Sequence, residues 1–443
     1  MKRRRFVKTV SSAGLGLIAA RAPLFASGSP GSPSEKVVVC VMGLNGRGTV
    51  LGKVFAKTPH AEVAAVCDVD AKVLAKGAAA VSEAQGGGKQ VKSLADFRRA
   101  LDDKSIDALV IATPDHWHAP AAILALAAGK HVYLEKPCGH NAREGELLVD
   151  AQRKARRVVQ MGTQRRSSPR AIEAVQAIRD GIIGRPYFAR AWYANRRATI
   201  GRGKAAPVPG DLDYELWQGP APRTPYRDNV IHYNWHWFRR WGTGEICNNG
   251  THEIDVARWA LGVDHPVRVT SAGGRYHFDD DWEFTDTQEA AFEFDGGRSI
   301  AWQGRSCNPY PIEGRGRGTM IHGTTGSMVL DQDGYVVYDL DNKVVKQNVA
   351  PPPSGTDSLA LSGDDQLTAF HIANFVEGVR TGTPVSQPIE EGAKSVLLCH
   401  LGNIAQWTGR ALRVDAATGR ILGDDAAMAY WQREYAPGWA PTV

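Results

Sequence analysis

Gly43-Leu44-Asn45-Gly46-Arg47-Gly48 follows an apolar run and opens a helical pattern. Glycines there let the chain turn sharply. They also let a pyrophosphate approach a helix N-terminus, whose free N–H groups and dipole favour anions. The dinucleotide fingerprint is G-x-G-x-x-G. Gly43 and Gly48 fit it; Asn45 holds the second glycine position, with Gly46 beside it to relieve the turn. Asp68 ends the next apolar run, 20 residues past Gly48. A carboxylate there accepts hydrogen bonds from ribose hydroxyls and repels a 2′-phosphate. No arginine follows within the next several residues, so NAD is favoured over NADP. A plain glycine-rich turn and a loop-starting aspartate are the alternative reading.

Further along stand Thr113-Pro114-Asp115-His116-Trp117-His118 and Glu135-Lys136-Pro137, each after an apolar run. Loops at the carboxyl ends of parallel strands line a cofactor crevice. The H-x-H pair lacks a nearby Cys or Glu to complete a metal set, so no metal is expected. Contact with the cofactor, or support of a group that contacts it, suits His118 better. Lys136, at a strand end beside a nicotinamide, could hydrogen-bond a substrate hydroxyl and stabilise developing alkoxide. On its own, a strand-end lysine is usually solvated. Gln164-Arg165-Arg166 follows another apolar run and should face the same crevice, unless its arginines are simply solvated. The stretch from His232 to Trp241 is dense in aromatic rings, Trp237 among them. Such rings can stack on sugar C–H faces; a core cluster or a dimer contact is the equal alternative.

These residues need a scaffold, and the pattern around them supplies one. Apolar strand-like runs at Lys36–Met42, Glu62–Cys67, Ala108–Ala112, His131–Leu134 and Val158–Met161 alternate with helical segments. The helices are expected up to Lys57, at 71–85, Asp96–Leu101, Pro120–Gly129 and Arg143–Lys154. That rhythm means a doubly wound parallel sheet. After about residue 165 the character changes. Strands are expected at Tyr187–Tyr193, Val267–Gly273, Gln288–Phe294, Ser299–Arg305, Gly318–His322, Ser327–Asp331 and Tyr335–Asp339. Asp295-Gly296-Gly297 and Asp333-Gly334 are hairpin signals, so this second sheet reads as mostly antiparallel. A loop at Pro351–Gly355 and helices at Asp365–Thr381 and Glu390–Thr408 complete the chain.

At 443 residues the chain is long enough for two or three domains. Its formal charge of +6 would suggest an acidic partner, but Lys2, Arg3, Arg4, Arg5, Lys8 and Arg21 account for the whole excess. A nucleic-acid partner is therefore not expected. The same residues form the basic head of an N-terminal targeting signal, followed by a short apolar stretch around Ala13–Ala20 and a small-residue exit. Arg3-Arg4-Arg5-Phe6-Val7-Lys8 resembles a twin-arginine export motif. Residues 1–26 are thus expected to be a signal peptide recognised by twin-arginine machinery, with a linker at 27–35 and a periplasmic or otherwise exported product. No membrane-spanning run follows. The six cysteines contain no C-x-x-C pair. Free thiols are expected, with Cys40 and Cys67 as small core residues.

Gly43–Gly48, Thr113–His118, Gly129-Lys130-His131-Val132 and Glu135-Lys136-Pro137 together resemble the Gfo/Idh/MocA oxidoreductase family. Gly181–Pro186, Gly250–Trp259 and the stretch from His371 to Gly392 extend the resemblance over the chain beyond residue 36. It implies an NAD-binding Rossmann domain at 36–162. It also implies a substrate-binding α/β domain at 163–443, with a large, mostly antiparallel open sheet through which a homodimer or homotetramer would form. The expected cofactor contacts are Gly43, Asn45, Gly46, Arg47, Gly48, Asp68, Thr113, Pro114, His118, Glu135 and Lys136. By resemblance Lys136 is the catalytic lysine and His252 the base. Four residues before His252 the family usually has Asp; here it is Asn248, which can orient a hydroxyl but cannot hold a proton. Asp255, three residues on, could share a helix face with His252 and orient it, or could simply be a helix N-terminal charge. Substrate contacts are expected from Gln164, Arg165, Trp237, Asn248 and Asp255. The implied activity is oxidation of a secondary hydroxyl of a sugar, polyol or glycoside with NAD(H); export away from any nicotinamide pool adds the expectation that the cofactor is tightly held and recycled. The rivals are redox-neutral glycoside cleavage or epimerisation through a keto-sugar, and a non-catalytic sugar sensor.

Overall fold

A computed structural model describes residues 36–88, 90–350 and 363–443. The expected export signal, the 27–35 linker and the Pro351–Gly355 loop lie outside the described residues. Six strands form the first sheet: β1 (Val37–Met42), β2 (Ala61–Cys67), β3 (Lys92–Leu94), β4 (Ala108–Ile111), β5 (His131–Leu134) and β6 (Val159–Met161). Their order is β3-β2-β1-β4-β5-β6, and every pairing is parallel. The order reverses at β1, so a crevice opens at the carboxyl ends of β1 and β4. Those strands are almost wholly buried, which is why they read as unbroken apolar runs. Cys40 and Cys67 are buried strand residues, as expected.

Two elements depart from expectation. β3 carries no apolar signal, because two of its three residues are exposed at the sheet edge. The helix after β4 begins at Asp115 rather than at Pro120. A proline inside a helix normally orphans the carbonyl four residues back. Here that carbonyl belongs to His116, and Arg433 Nη2 donates to it at 2.7 Å. The distant guanidinium replaces the lost backbone bond, and Thr113–His118 becomes a loop that passes directly into helix.

The second sheet has nine strands: β7 (Pro186–Ala194), β8 (Arg268–Gly274), β9 (Thr287–Phe294), β10 (Arg298–Arg305), β11 (Arg317–Gly323), β12 (Gly326–Leu330), β13 (Gly334–Asp339), β14 (Val344–Val349) and β15 (Leu412–Arg413). They lie in the order β14-β13-β12-β11-β7-β10-β9-β8-β15. β7 pairs with β10 in parallel, and the other pairings are antiparallel. The Asp295–Gly297 turn joins β9 to β10, with Gly296 and Gly297 at φ +75 and +67. β14 and β15 were not expected; the first is an exposed edge strand and the second has two residues.

Helices Thr251–Leu261 and Ile389–Thr408 share a buried apolar core with this sheet. The preceding helix, Gly363–Thr381, goes elsewhere. Its Ile372, Phe375 and Val376 pack with Val39, Phe55 and Tyr133 of the first sheet's layer. Among the described residues, no helix is long and apolar enough to cross a membrane.

Candidate active site

The turn after β1 is built so that only glycine fits twice. A Cβ on Gly48 would lie 1.6 Å from the Gly43 carbonyl oxygen, and one on Gly43 would lie 2.8 Å from the Ala112 oxygen. Gly43 and Gly46 also adopt φ of +84 and +64. Asn45 is exposed on the cavity wall, and the neighbouring Gly46 takes the left-handed conformation. The departure from the fingerprint therefore costs the turn nothing. Asp68, at the end of β2, locks the loop: Oδ2 accepts from Leu44 N at 2.7 Å and Oδ1 from Asp70 N at 3.0 Å. Burial pushes its carboxyl up, and these two N–H groups oppose that.

This turn forms one end of a cavity of about 500 Å³. Asn45, Gly46, Arg47, Asp68, Thr113 and Pro114 line it there. Thr113 Oγ1 is buried with no hydrogen-bond partner among the described residues. An orphaned hydroxyl beside a loop that admits no side chain fits a bound dinucleotide. Arg47, at the first helical position, reaches across the cleft. Its Nε donates to Glu135 Oε1 at 2.8 Å and its Nη1 to Thr368 Oγ1 at 3.1 Å.

At the other end the cavity meets the second sheet. Lys136 Nζ donates to Asn248 Oδ1 at 3.0 Å, across 112 residues of sequence. Burial drives the Lys136 ammonium below its ordinary range, while the Glu135 and Asp115 carboxylates oppose the shift. His252 lines the same cavity. Its imidazole is held well below its usual range, first by burial and then by the cations Lys136, Arg317, Arg165 and Arg47. At neutral pH the ring is uncharged and able to accept a proton. Gln164 Nε2 donates to Glu135 Oε1 at 3.2 Å. Arg165 and Arg317 both bind the fully buried Glu253, Arg165 through both terminal nitrogens.

The residues around Thr113 divide their work. His118 places one ring nitrogen 2.6 Å from the Pro137 oxygen and the other 2.9 Å from the Thr113 oxygen. It thereby ties the loops after β4 and β5 together, and it lines the cavity. Trp117 Nε1 donates to the Trp217 carbonyl, which also lies 3.0 Å from His116 Nε2. Burial takes His116 down to about 3.

Two expected substrate contacts are elsewhere. Trp237 is 1% exposed and stacked on Trp282, with ring centroids 3.9 Å apart. It belongs to an aromatic core; Trp235, of the same core, and His236 line the cavity instead. Asp255, also 1% exposed, does not face His252's side of the cavity. It accepts two hydrogen bonds from Arg166, both at 2.8 Å, and others from Ser395 Oγ and Gln387 Nε2. An ion pair between two such buried groups satisfies both, so neither Asp255 nor Arg166 is left for substrate.

The structure adds cavity residues that the sequence reading did not single out, Tyr193, Arg197, Asn249 and Arg317, and brings His232 and Tyr233 of the expected aromatic stretch to the same wall. Most stand on strands or loops whose local pattern marks nothing. The acidic Glu245, three residues before Asn248, was legible as a charge within an otherwise apolar and glycine-rich run.

Residues 37–163 match a model described as an oxidoreductase family with an NAD-binding Rossmann fold. Residues 195–440 match the model of that family's C-terminal alpha/beta domain. A protein named glycosyl hydrolase family 109 protein, from Stenotrophomonas maltophilia, is 23% identical over 87% of this chain and 88% of its own. An inositol 2-dehydrogenase from Rubrobacter xylanophilus is 30% identical over 37% of this chain and 45% of its own. For most curated relatives the matched part spans about half of their length. A solved structure of levoglucosan dehydrogenase with NADH and levoglucosan shares the fold at TM-score 0.66 and 19% identity, covering 85% of this chain and 99% of that one. Two domain models that together take in most of the chain, joined around one cleft, make this protein a member of the Gfo/Idh/MocA oxidoreductase family, with an NAD-binding Rossmann domain.

Proposed function

We propose that the protein oxidises a secondary hydroxyl of a sugar, polyol or glycoside with NAD(H). The observation that carries this reading is the shared cavity: the glycine turn and Asp68 at one end, Lys136, Asn248 and His252 at the other. Bound nicotinamide would supply the hydride acceptor. The chain's own groups do the rest. One Nζ–H of Lys136 is committed to Asn248, which leaves two to meet the substrate oxygen. Neutral His252 takes the hydroxyl proton on a ring nitrogen. The ammonium stabilises the oxygen as negative charge develops there. The sensor reading is disfavoured because it gives no reason for a lysine and a neutral histidine to share the cavity.

The cofactor is read as retained and recycled, because a strap of the second domain crosses beside its adenosine end. Asp213 N donates to the Val69 carbonyl at 2.9 Å, Ala71 N to the Asp211 carbonyl at 2.8 Å, and His232 Nε2 lies 3.1 Å from Asp70 Oδ2. Retention suits an exported enzyme with no nicotinamide pool outside the cytoplasm, and twin-arginine transport carries folded protein already loaded. Assembly through the open second sheet belongs to the same reading. The relative named as a glycosyl hydrolase, matched over most of its length, favours a second reading. In it, a transient keto-sugar acidifies a neighbouring C–H, and the hydride later returns to the same molecule.

The deciding experiment gel-filters the protein, denatures it, and assays released nicotinamide. A parallel reaction on sugars and glycosides runs without added NAD. Bound nucleotide with multiple turnovers supports the reading. Cofactor-free protein that consumes one added NAD per product restores an ordinary dehydrogenase, and the absence of any product with any sugar class defeats the function.

A further inference from the structure

Glu245 has no part in the mechanism above, yet its carboxylate is 6% exposed and lies beside the catalytic end of the cavity. It accepts from Arg197 Nε at 2.6 Å and Nη2 at 3.1 Å, from Ser306 Oγ at 3.1 Å and from Asn249 Nδ2 at 2.5 Å. Asn248 Nδ2 is a longer contact, 3.5 Å from the same Oε1. Residues Ile246–Gly250 form one wide helical turn with i→i+5 bonding, and this turn leads into the helix bearing His252. Such turns are uncommon and recur at functional sites.

Asn248 is therefore held from both ends. Lys136 Nζ can only donate, so it must face the amide oxygen. That leaves Nδ2, a donor, for the Glu245 carboxylate. A carboxylate at 248 would instead stand 3.5 Å from the Glu245 oxygen, where two anions repel strongly. The amide and the acid thus form a matched pair.

We infer that Glu245 is the positioning carboxylate of this site: through Asn248 it aims Lys136 and balances its charge. The inference rests on the oxidoreductase reading of the same cavity. The other charged or titratable groups facing Lys136 are Glu135, Asp115, Arg47, His252 and His236. Those facing Glu245 are Arg197, with His236 and Tyr193 on its flanks. Glu135 is engaged by Arg47 as Glu245 is by Arg197, and what distinguishes Glu245 is its contact with Asn248.

The test uses the full-length protein as Glu245→Gln and as the double variant Glu245→Gln with Asn248→Asp. Reductive methylation with ¹³C-formaldehyde lets Lys136 be titrated by NMR, its signal assigned by its absence in Lys136→Arg. In Glu245→Gln the Lys136 titration should fall by about one pH unit. The alkaline limb of the kcat profile should fall with it, while NAD binding is unchanged. The double variant restores a carboxylate beside the ammonium, so both readouts should return towards wild type. It keeps the wild-type charge count and carries the test alone should the single variant not fold. An unmoved Lys136 titration in folded Glu245→Gln, or a double variant whose Lys136 titrates well below wild type, overturns the inference and leaves Glu245 as an anchor for Arg197. A shifted titration in a protein that oxidises no sugar upholds the pairing and removes only the oxidoreductase reading.

Discussion

Lys136 and Asn248 meet at 3.0 Å although 112 residues separate them. The first stands in the loop just after a strand of the parallel sheet; the second sits in the turn that precedes the His252 helix. Their hydrogen bond crosses between the two layers of the molecule, and the proposed chemistry takes place along that seam.

If Lys136 stabilises alkoxide and His252 takes the proton, Lys136→Ala and His252→Ala should each lower kcat by roughly 10²-fold or more. Dinucleotide affinity, set at the other end of the cavity, should change little. Steady-state kinetics with NAD titration in parallel checks this, and near-normal turnover in either variant removes that residue's role.

The pH dependence follows from the directions of two shifts. His252 must be neutral, and burial with four nearby cations holds its pKa well below 6.5. Activity should therefore persist as pH falls through 6.5 and be lost only in more acid solution. Lys136 must be charged, and burial holds its pKa below 10.5. Activity should be lost on the alkaline side before that value is reached. A kcat/KM profile measured across both limbs tests the pair, and an acid limb centred at or above 6.5 contradicts the role of His252.

Asp68 should set the cofactor preference. The wild-type protein is expected to bind NAD more tightly than NADP. Asp68→Ala removes hydrogen bonds to a charged acceptor, worth about 1.5–3 kcal/mol, and should narrow the preference by roughly tenfold or more. Calorimetric titration of cofactor-free protein with both dinucleotides decides it. Because Asp68 also holds Leu44 N, a moderate loss of thermal stability should accompany the change.

Asp255 should behave as a structural anion. Asp255→Asn strands the buried Arg166 guanidinium, at a cost of about 3–5 kcal/mol. Its folded-state pKa is lowered, chiefly by Arg166 against the effect of burial. Its contribution is therefore full above the unfolded carboxylate pKa and is lost as pH falls through the lower, folded value. Thermal melts against pH should show the variant losing most at neutral pH and converging with wild type in acid. The acid limb of the variant's kcat/KM profile should stay in place; a moved limb would return Asp255 to the service of His252.

Much of the first domain was legible in the sequence. β1, β2, β4 and β5 are buried on both faces, so their apolar runs are long and undisguised. The glycine turn and Asp68 are readable because local backbone geometry dictates residue type: at Gly43 and Gly48 a side chain would strike a neighbouring carbonyl. Strand-end positions likewise brought Lys136 and Gln164 to the crevice from order alone. The second sheet was legible in its alternating strands, while its thin edges β14 and β15 were not.

Only the tertiary structure decided what each side chain faces. Trp237 and Trp235 are two residues apart in one aromatic core, and composition cannot say which of them reaches the cavity wall. Asp255 lies one helical turn from His252, but Arg166, 89 residues away in sequence, draws it into the interior. The start of the Asp115–Ala127 helix depends on Arg433, which caps the carbonyl that Pro120 leaves open. The pairing of Lys136 with Asn248 likewise joins segments that share no local pattern. Local patterns record what a residue's own backbone and burial require. Charge pairing and cavity placement are set by partners distant in sequence, and these exist only once the chain has folded.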